Sequence, residues 1–198
     1  FQSATFFACY GSARVVSDDL LPQLPGFFSQ LKELFGDIGV VTGGGPGLME
    51  AVNKAAFESG VLSAASSLST EFSESPQGLN PFSQANMYFD EFCRHVRQKN
   101  FSVARFPIFF PGGVGTLEEV GIEICNLKLG VHHNAPYVFV DGDYWQPILD
   151  FLKHAVKYGM VSEKLVGNVH MVSDMEEAVA IYRDFIANTV PVQADVGH

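Results

Sequence analysis

Cysteine is scarce in this chain. Cys9, Cys93 and Cys125 are odd in number, far apart and without a C-x-x-C pair, which reads as reduced thiols rather than a disulfide framework. Positive charge is scarce too. The 12 Lys and Arg against 22 Asp and Glu leave a net charge of −10, which argues against general nucleic-acid binding. No apolar run approaches the length of a membrane span, so no membrane partner is expected. No basic-then-apolar leader is visible at Phe1-Gln2-Ser3, and no repeat or low-complexity segment follows. His132-His133 has no Cys or acidic partner at ligand spacing, so no metal site is expected. The expectation from these absences is a cytoplasmic protein.

What is present is a globular composition, 47% hydrophobic and 17% charged. At 198 residues it predicts one domain over 1–190, with a C-terminal tail over 191–198. Strands are expected at Thr5 to Tyr10, Ile38 to Val41, Val61 to Leu68, Ile108 to Phe110, Tyr137 to Val140 and Val169 to Val172. Helical spacing predicts helices at about Pro25 to Phe35, Leu48 to Ala56, Met87 to Ala104, Thr116 to Leu127 and Tyr144 or Trp145 to Tyr158. In the third of these Phe89, Phe92, Val96 and Val103 would face inward. In the fourth Leu117, Val120, Ile124 and Leu127 would share a face. Ser173-x-x-Glu176 reads as a capping box for a last helix with Ala178, Ile181, Tyr182 and Phe185 on one side. Ser69 to Asn86, rich in Ser, Pro, Gln and Asn, reads as a long loop. Strands alternating with helices imply an α/β fold, a Rossmann-like doubly wound parallel sheet with helices on both faces. Ligands in such folds bind beyond the carboxyl ends of the strands, at the switch point of strand order.

Three glycine turns would lie along that edge: Gly11-Ser12-Ala13-Arg14, Thr42-Gly43-Gly44-Gly45-Pro46-Gly47, and Pro111-Gly112-Gly113-Val114-Gly115-Thr116. The last two each join a strand to a helix start, where free N–H groups and the helix dipole attract anions. The second is not a Walker A loop, since no Lys-Ser/Thr follows it. It also lacks the GxGxxG spacing, and no acidic residue stands between Glu58 and Glu71 to hold the ribose of NAD, which argues against a dehydrogenase. Arg94, Arg97, Lys99 and Arg105 form a cationic cluster that could attract a phosphate.

Plainer readings stand beside these. Glycines after strands are often only tight turns. Thr116-x-x-Glu119 is itself a capping box, Glu118 could complement the helix dipole, and Arg97 could be a solvated helix charge.

Residues Pro111-Gly112-Gly113-Val114-Gly115-Thr116-Leu117-Glu118-Glu119 resemble the PGGxGTxxE signature of the LOG family. Gly11 to Arg14 and Thr42 to Ala51 are similar to that family's first two loops, and Asn80-Pro81 and the Arg97 helix fall where it has its own. The resemblance covers roughly Thr5 to Leu129. These proteins are cytokinin-activating nucleoside 5′-monophosphate phosphoribohydrolases, long labelled lysine decarboxylases. The resemblance implies an enzyme that hydrolyses the N-glycosidic bond of AMP or a cytokinin riboside monophosphate, giving free base and ribose 5-phosphate. It implies no metal or redox cofactor, and a homodimer or higher homo-oligomer. The implied catalytic pair is Arg97 and Glu119. The implied substrate- and phosphate-binding set is Gly11, Ser12, Thr42, Gly43, Gly44, Gly45, Gly112, Gly113, Val114, Gly115, Thr116 and Glu118. One departure stands out: the family reads Arg-Lys where this chain has Arg97-Gln98-Lys99, so Arg94 and Lys99 are alternatives to Arg97. The competing reading is a carrier of the same fold that binds a nucleotide or molybdenum cofactor without cutting. A true lysine decarboxylase would need pyridoxal phosphate, and no lysine here sits in a recognisable motif for it.

Overall fold

The structure is a computed structural model. It describes residues 4–14, 19–68, 78–84, 88–91, 94–131 and 135–189. The strands are β1 (Thr5–Tyr10), β2 (Ile38–Thr42), β3 (Leu62–Leu68), β4 (Tyr88–Glu91), β5 (Phe106–Phe109), β6 (Tyr137–Val140) and β7 (Val169–Val172). The helices are α1 (Leu24–Phe35), α2 (Leu48–Glu58), α3 (Arg94–Asn100), α4 (Val114–Leu129), α5 (Gly142–Lys157), α6 (Glu163–Val166) and α7 (Met175–Thr189).

Among the described residues the strands form one seven-stranded sheet in the order β4-β3-β2-β1-β5-β6-β7, every neighbouring pair parallel. The chain walks outward from β1 to β4, then returns to lay β5 on the other side of β1. Because such crossovers are right-handed, reversing the direction moves the covering helices to the opposite face. Thus α1, α2 and α7 pack with Phe7, Cys9, Val40 and Ile108 on one face. On the other, α4, α5 and α6 pack with Phe6, Ala8, Tyr10, Phe109 and Phe139. Alternate residues of β1 feed opposite cores, which is why its sequence is apolar throughout rather than alternating.

The expected helix over Met87 to Ala104 is corrected. Its first part is an edge strand, β4, paired with β3. The helix is only α3, followed by a 3-10 turn at Phe101–Val103. Aromatic residues fit a pleated strand, and a short aromatic run has no period long enough to choose helix over strand. Val96 and Val103 are exposed, and Phe101 is the buried residue there. The expectations for the Phe89 side chain, Phe92, His132-His133, the tail over 191–198 and most of the long loop lie outside the described residues.

Two helix starts are also corrected. Helix α4 begins at Val114 with Gly113 as its N-cap, so Thr116-x-x-Glu119 is not a capping box. This register turns Leu117 outward while Val120 and Leu127 stay buried. For α7 the cap lies one residue later than expected. The Asp174 carboxylate accepts from the Glu177 amide at 2.9 Å, and Glu177 accepts from the Ser173 amide at 2.7 Å.

Candidate active site

The parallel sheet puts the ends of β1, β2 and β5 side by side, and the three glycine turns follow them. The break in strand order falls between β1 and β5, where Tyr10 pairs with Phe109. The first two turns are packed together. Gly47 has φ +71°, and a Cβ there would come within 2.5 Å of the Ala13 carbonyl. Only glycine gives both the backbone angle and the approach. The Leu48 amide donates to the Ser12 carbonyl at 3.3 Å, closing the contact.

Beneath the second turn lies a buried polar network. The Thr42 hydroxyl donates to Asn53 Oδ1 at 2.6 Å and accepts from the Gly44 amide at 3.0 Å. Asn53 Nδ2 donates to Ser63 Oγ and the Ala64 carbonyl. Asn80 Nδ2 donates to Asn53 Oδ1 at 3.0 Å and to the Gly45 carbonyl at 3.2 Å. Thr42, Asn53 and Asn80 are buried, so satisfied polar atoms hold the loop in one shape. The Thr42 side chain is thereby engaged inside the loop. Asn53 was not singled out by its position in the sequence; the available cue was one amide inside the small apolar run of α2.

The third turn is open. Gly113, Val114 and Gly115 are exposed, and among the described residues no side chain caps the α4 N-terminus. Among the described residues a Cβ on Gly113 or Gly115 would meet nothing within 4 Å, so their packing does not explain these glycines. Gly112 differs, being pressed against the buried Thr116 side chain. Its carbonyl accepts a hydrogen bond from the Tyr144 hydroxyl, reaching over from the first turn of α5. The uncapped amides of the first turn of α4 therefore face accessible space, with the dipole adding a partial positive charge.

Glu119 lies one turn further along α4 and is buried. Arg97 Nη2 donates to its Oε1 at 3.2 Å, a contact between residues 22 apart in the chain. The guanidinium is aimed by three features. Arg97 Nε donates to the Ser66 carbonyl in the second half of β3, at 3.0 Å. Its Cζ lies 5.6 Å from the Phe101 ring centroid. Beneath it sits Gly43, where a Cβ would stand 2.8 Å from Nη2. The second glycine turn thus leaves room for the cation that meets the third turn's helix. Among the described side chains Arg97 is the cation paired with Glu119, and Lys99 is exposed.

Burial pushes the Glu119 carboxyl up to about 7 from its ordinary 4.5. Arg97 opposes the shift, while Glu118 and Glu123 add to it. A carboxyl that titrates near neutrality beside a fixed cation can take or give a proton at physiological pH. Glu118 is exposed at the preceding position of the same helix. The geometry brings together Arg97, Glu119, Gly43 and the 112–116 turn at one end of the sheet.

Comparison with known proteins bears on family and fold. A family model described as "Possible lysine decarboxylase" matches residues 49–182, more than half of the chain. Over 76 residues the chain is 33% identical to a protein of Rhodococcoides fascians named cytokinin riboside 5′-monophosphate phosphoribohydrolase. That match spans 38% of this chain and only 38% of the relative's length. In overall structure the chain resembles the molybdenum cofactor binding protein of Rippkaea orientalis, with TM-score 0.62 and 18% identity over 92% of this chain and 98% of that one. The Moco carrier protein of Chlamydomonas reinhardtii is similar at TM-score 0.58 and 15% identity, over 93% and 99%. Likeness at such identities speaks for the shared Rossmann-like fold alone. With its signature at residues 111–119 and the family model spanning most of the fold, the chain belongs to the LOG family, whose model carries the lysine decarboxylase label.

Proposed function

We propose that this protein is a nucleoside 5′-monophosphate phosphoribohydrolase, acting on AMP or a cytokinin riboside monophosphate. The observation that carries the reading is the 3.2 Å pair between Arg97 and Glu119, set beside an uncapped helix start. A phosphate cradle alone needs no buried carboxyl. A glycosidic hydrolase does, because breaking the C1′–N bond puts oxocarbenium character on the ribose.

The parts divide the work as follows. Amides of Gly113, Val114, Gly115 and Thr116 hold the 5′-phosphate, with Gly112 kept in place by Thr116 and Tyr144. The Gly11–Ser12 and Gly43–Gly45 turns form the neighbouring walls, and Glu118 meets the ribose hydroxyls. Fixing the phosphate locks C1′ against Glu119. The ionised carboxylate stabilises the ribose cation or takes the proton of the attacking water. The base leaves with the electron pair of the broken bond and takes up a proton, while the water oxygen bonds to C1′. Arg97 orients the carboxylate and keeps part of it ionised. The active unit in this reading is a homodimer or larger homo-oligomer in the cytoplasm.

The test is incubation with AMP, isopentenyladenosine monophosphate, GMP, CMP and UMP, with free base followed by chromatography. Release from a monophosphate but not from its nucleoside is the expected result. Glu119→Gln should lower kcat by about 10²–10⁴-fold with nucleotide affinity nearly kept. If no base is released while a nucleotide still raises the melting temperature, the second reading takes over, a carrier that binds without cutting. Its support is the Arg97-Gln98-Lys99 departure and a fold shared with molybdenum cofactor carriers.

A further inference from the structure

Below Glu119 lies a second buried carboxylate with no part in the chemistry above. Glu123 is one helical turn further along α4, on the same face as Glu119, and only 3% exposed. Its Oε1 accepts from the Tyr10 hydroxyl at 2.8 Å, and its Oε2 accepts from Asn126 Nδ2 at 3.2 Å. Tyr10 is itself fixed. It is the last residue of β1, at the switch point, and its ring stacks on Phe109 at 5.1 Å and leans on Phe101 at 4.9 Å. Phe101 is the ring that also lies beside the Arg97 guanidinium. One aromatic layer therefore ties Tyr10, Glu123 and the Arg97–Glu119 pair together.

Burying a carboxylate is costly, and a hydrophobic residue at this helix position would pack without that cost. Placed one turn from Glu119 in a low-dielectric interior, a negative charge on Glu123 opposes ionisation of Glu119. Arg97 pulls the other way. The groups facing Glu119 are thus Arg97 from α3, Glu118 and Glu123 from α4, and Tyr10 from β1, with Tyr137 of β6 close to Glu123. We infer that Glu123, held by Tyr10 and Asn126, is a positioning residue that joins burial and Glu118 in opposing the pull of Arg97 on the protonation of Glu119. This rests on the hydrolase reading for its purpose but not for its measurement.

The test is the titration of the Glu119 side-chain carboxyl by carbon-13 NMR, with the signal assigned by its loss in Glu119→Gln. In Glu123→Gln the midpoint should fall measurably but by less than about one pH unit, with the fold intact. Tyr10→Phe keeps the ring and removes one donor to the Glu123 carboxyl, so it should move the midpoint the same way by less. The acid limb of kcat/KM against pH should follow both shifts. A folded Glu123→Gln protein with an unmoved midpoint overturns the inference. Should that variant not fold, an unmoved midpoint in Tyr10→Phe overturns it equally. Absence of hydrolysis in every protein would count against the hydrolase reading, while the midpoints would still decide the role of Glu123.

Discussion

Glu119→Gln should make this protein more stable at alkaline pH and leave it unchanged at acid pH. In the folded chain the Glu119 carboxyl titrates near 7 instead of 4.5, so folding favours its protonated form. That advantage is complete below about pH 4.5 and is lost as pH rises through about 7. At 1.36 kcal/mol per pH unit, the ionised carboxylate lowers stability by about 2 kcal/mol at pH 6 and about 3 kcal/mol at pH 8. The attraction of Arg97 is already inside that net upward shift. Glutamine mimics the protonated side chain and keeps an oxygen for Arg97 Nη2 to donate to, so the variant escapes the loss. In a domain of this size each kcal/mol moves Tm by about 2–4 °C, which predicts a gain of roughly 6–12 °C at pH 8. Thermal unfolding followed by circular dichroism from pH 4 to pH 9 measures it. A gain of equal size at every pH, or a variant less stable at pH 8, would refute the buried-carboxyl argument. A gain at pH 8 joined to lost catalysis would show stability given up for function.

The remaining predictions probe the turns. Gly115→Ala meets nothing among the described residues and replaces a poor helix former inside α4, so stability should rise by about 0.5–1 kcal/mol. The same methyl enters the proposed phosphate space, and calorimetry should find nucleotide affinity down on the order of tenfold or more, about 1.4 kcal/mol. Asn53→Ala should cost about 2–4 kcal/mol in urea unfolding, because Thr42, Ser63 and Asn80 all lose a buried partner. Tyr144→Phe removes the donor to the exposed Gly112 carbonyl, where water can replace it. Stability should change by less than about 1 kcal/mol, with the effect appearing as a higher KM at unchanged kcat.

Much of the fold is legible in the sequence. Strands such as Thr5–Tyr10 and Tyr137–Val140 are apolar runs closed by turn residues, and their bounds hold. The failures share one cause. Tyr88–Glu91 is a four-residue edge strand, too short for periodicity to act on, and it becomes a strand because β3 offers it a ladder. Thr116-Leu117-Glu118-Glu119 carries a valid capping pattern, yet the chain leaves β5 early enough that Gly113 takes the cap and Thr116 turns inward against Gly112. For α7 two acceptable boxes overlap, and the one at Asp174 is used. Local chemistry allowed each alternative, and packing chose between them.

By itself the sequence determined the order of elements except for β4 and the short α6, the three glycine turns at the carboxyl ends of strands, and the family signature. Those are local matters of dihedral freedom, apolar spacing and residue identity over a few positions. Which cation faces Glu119 was beyond it, because Arg94, Arg97 and Lys99 are equivalent in charge along one short stretch. Among the described side chains the tertiary structure brings Arg97 to Glu119, its guanidinium fixed by Ser66 and Gly43 from elsewhere in the chain and by Phe101 one turn on. The near-neutral titration of Glu119 and the Tyr10–Glu123 bond were equally out of reach. Both depend on solvent exclusion and on charges brought together across the sheet, which no linear spacing contains.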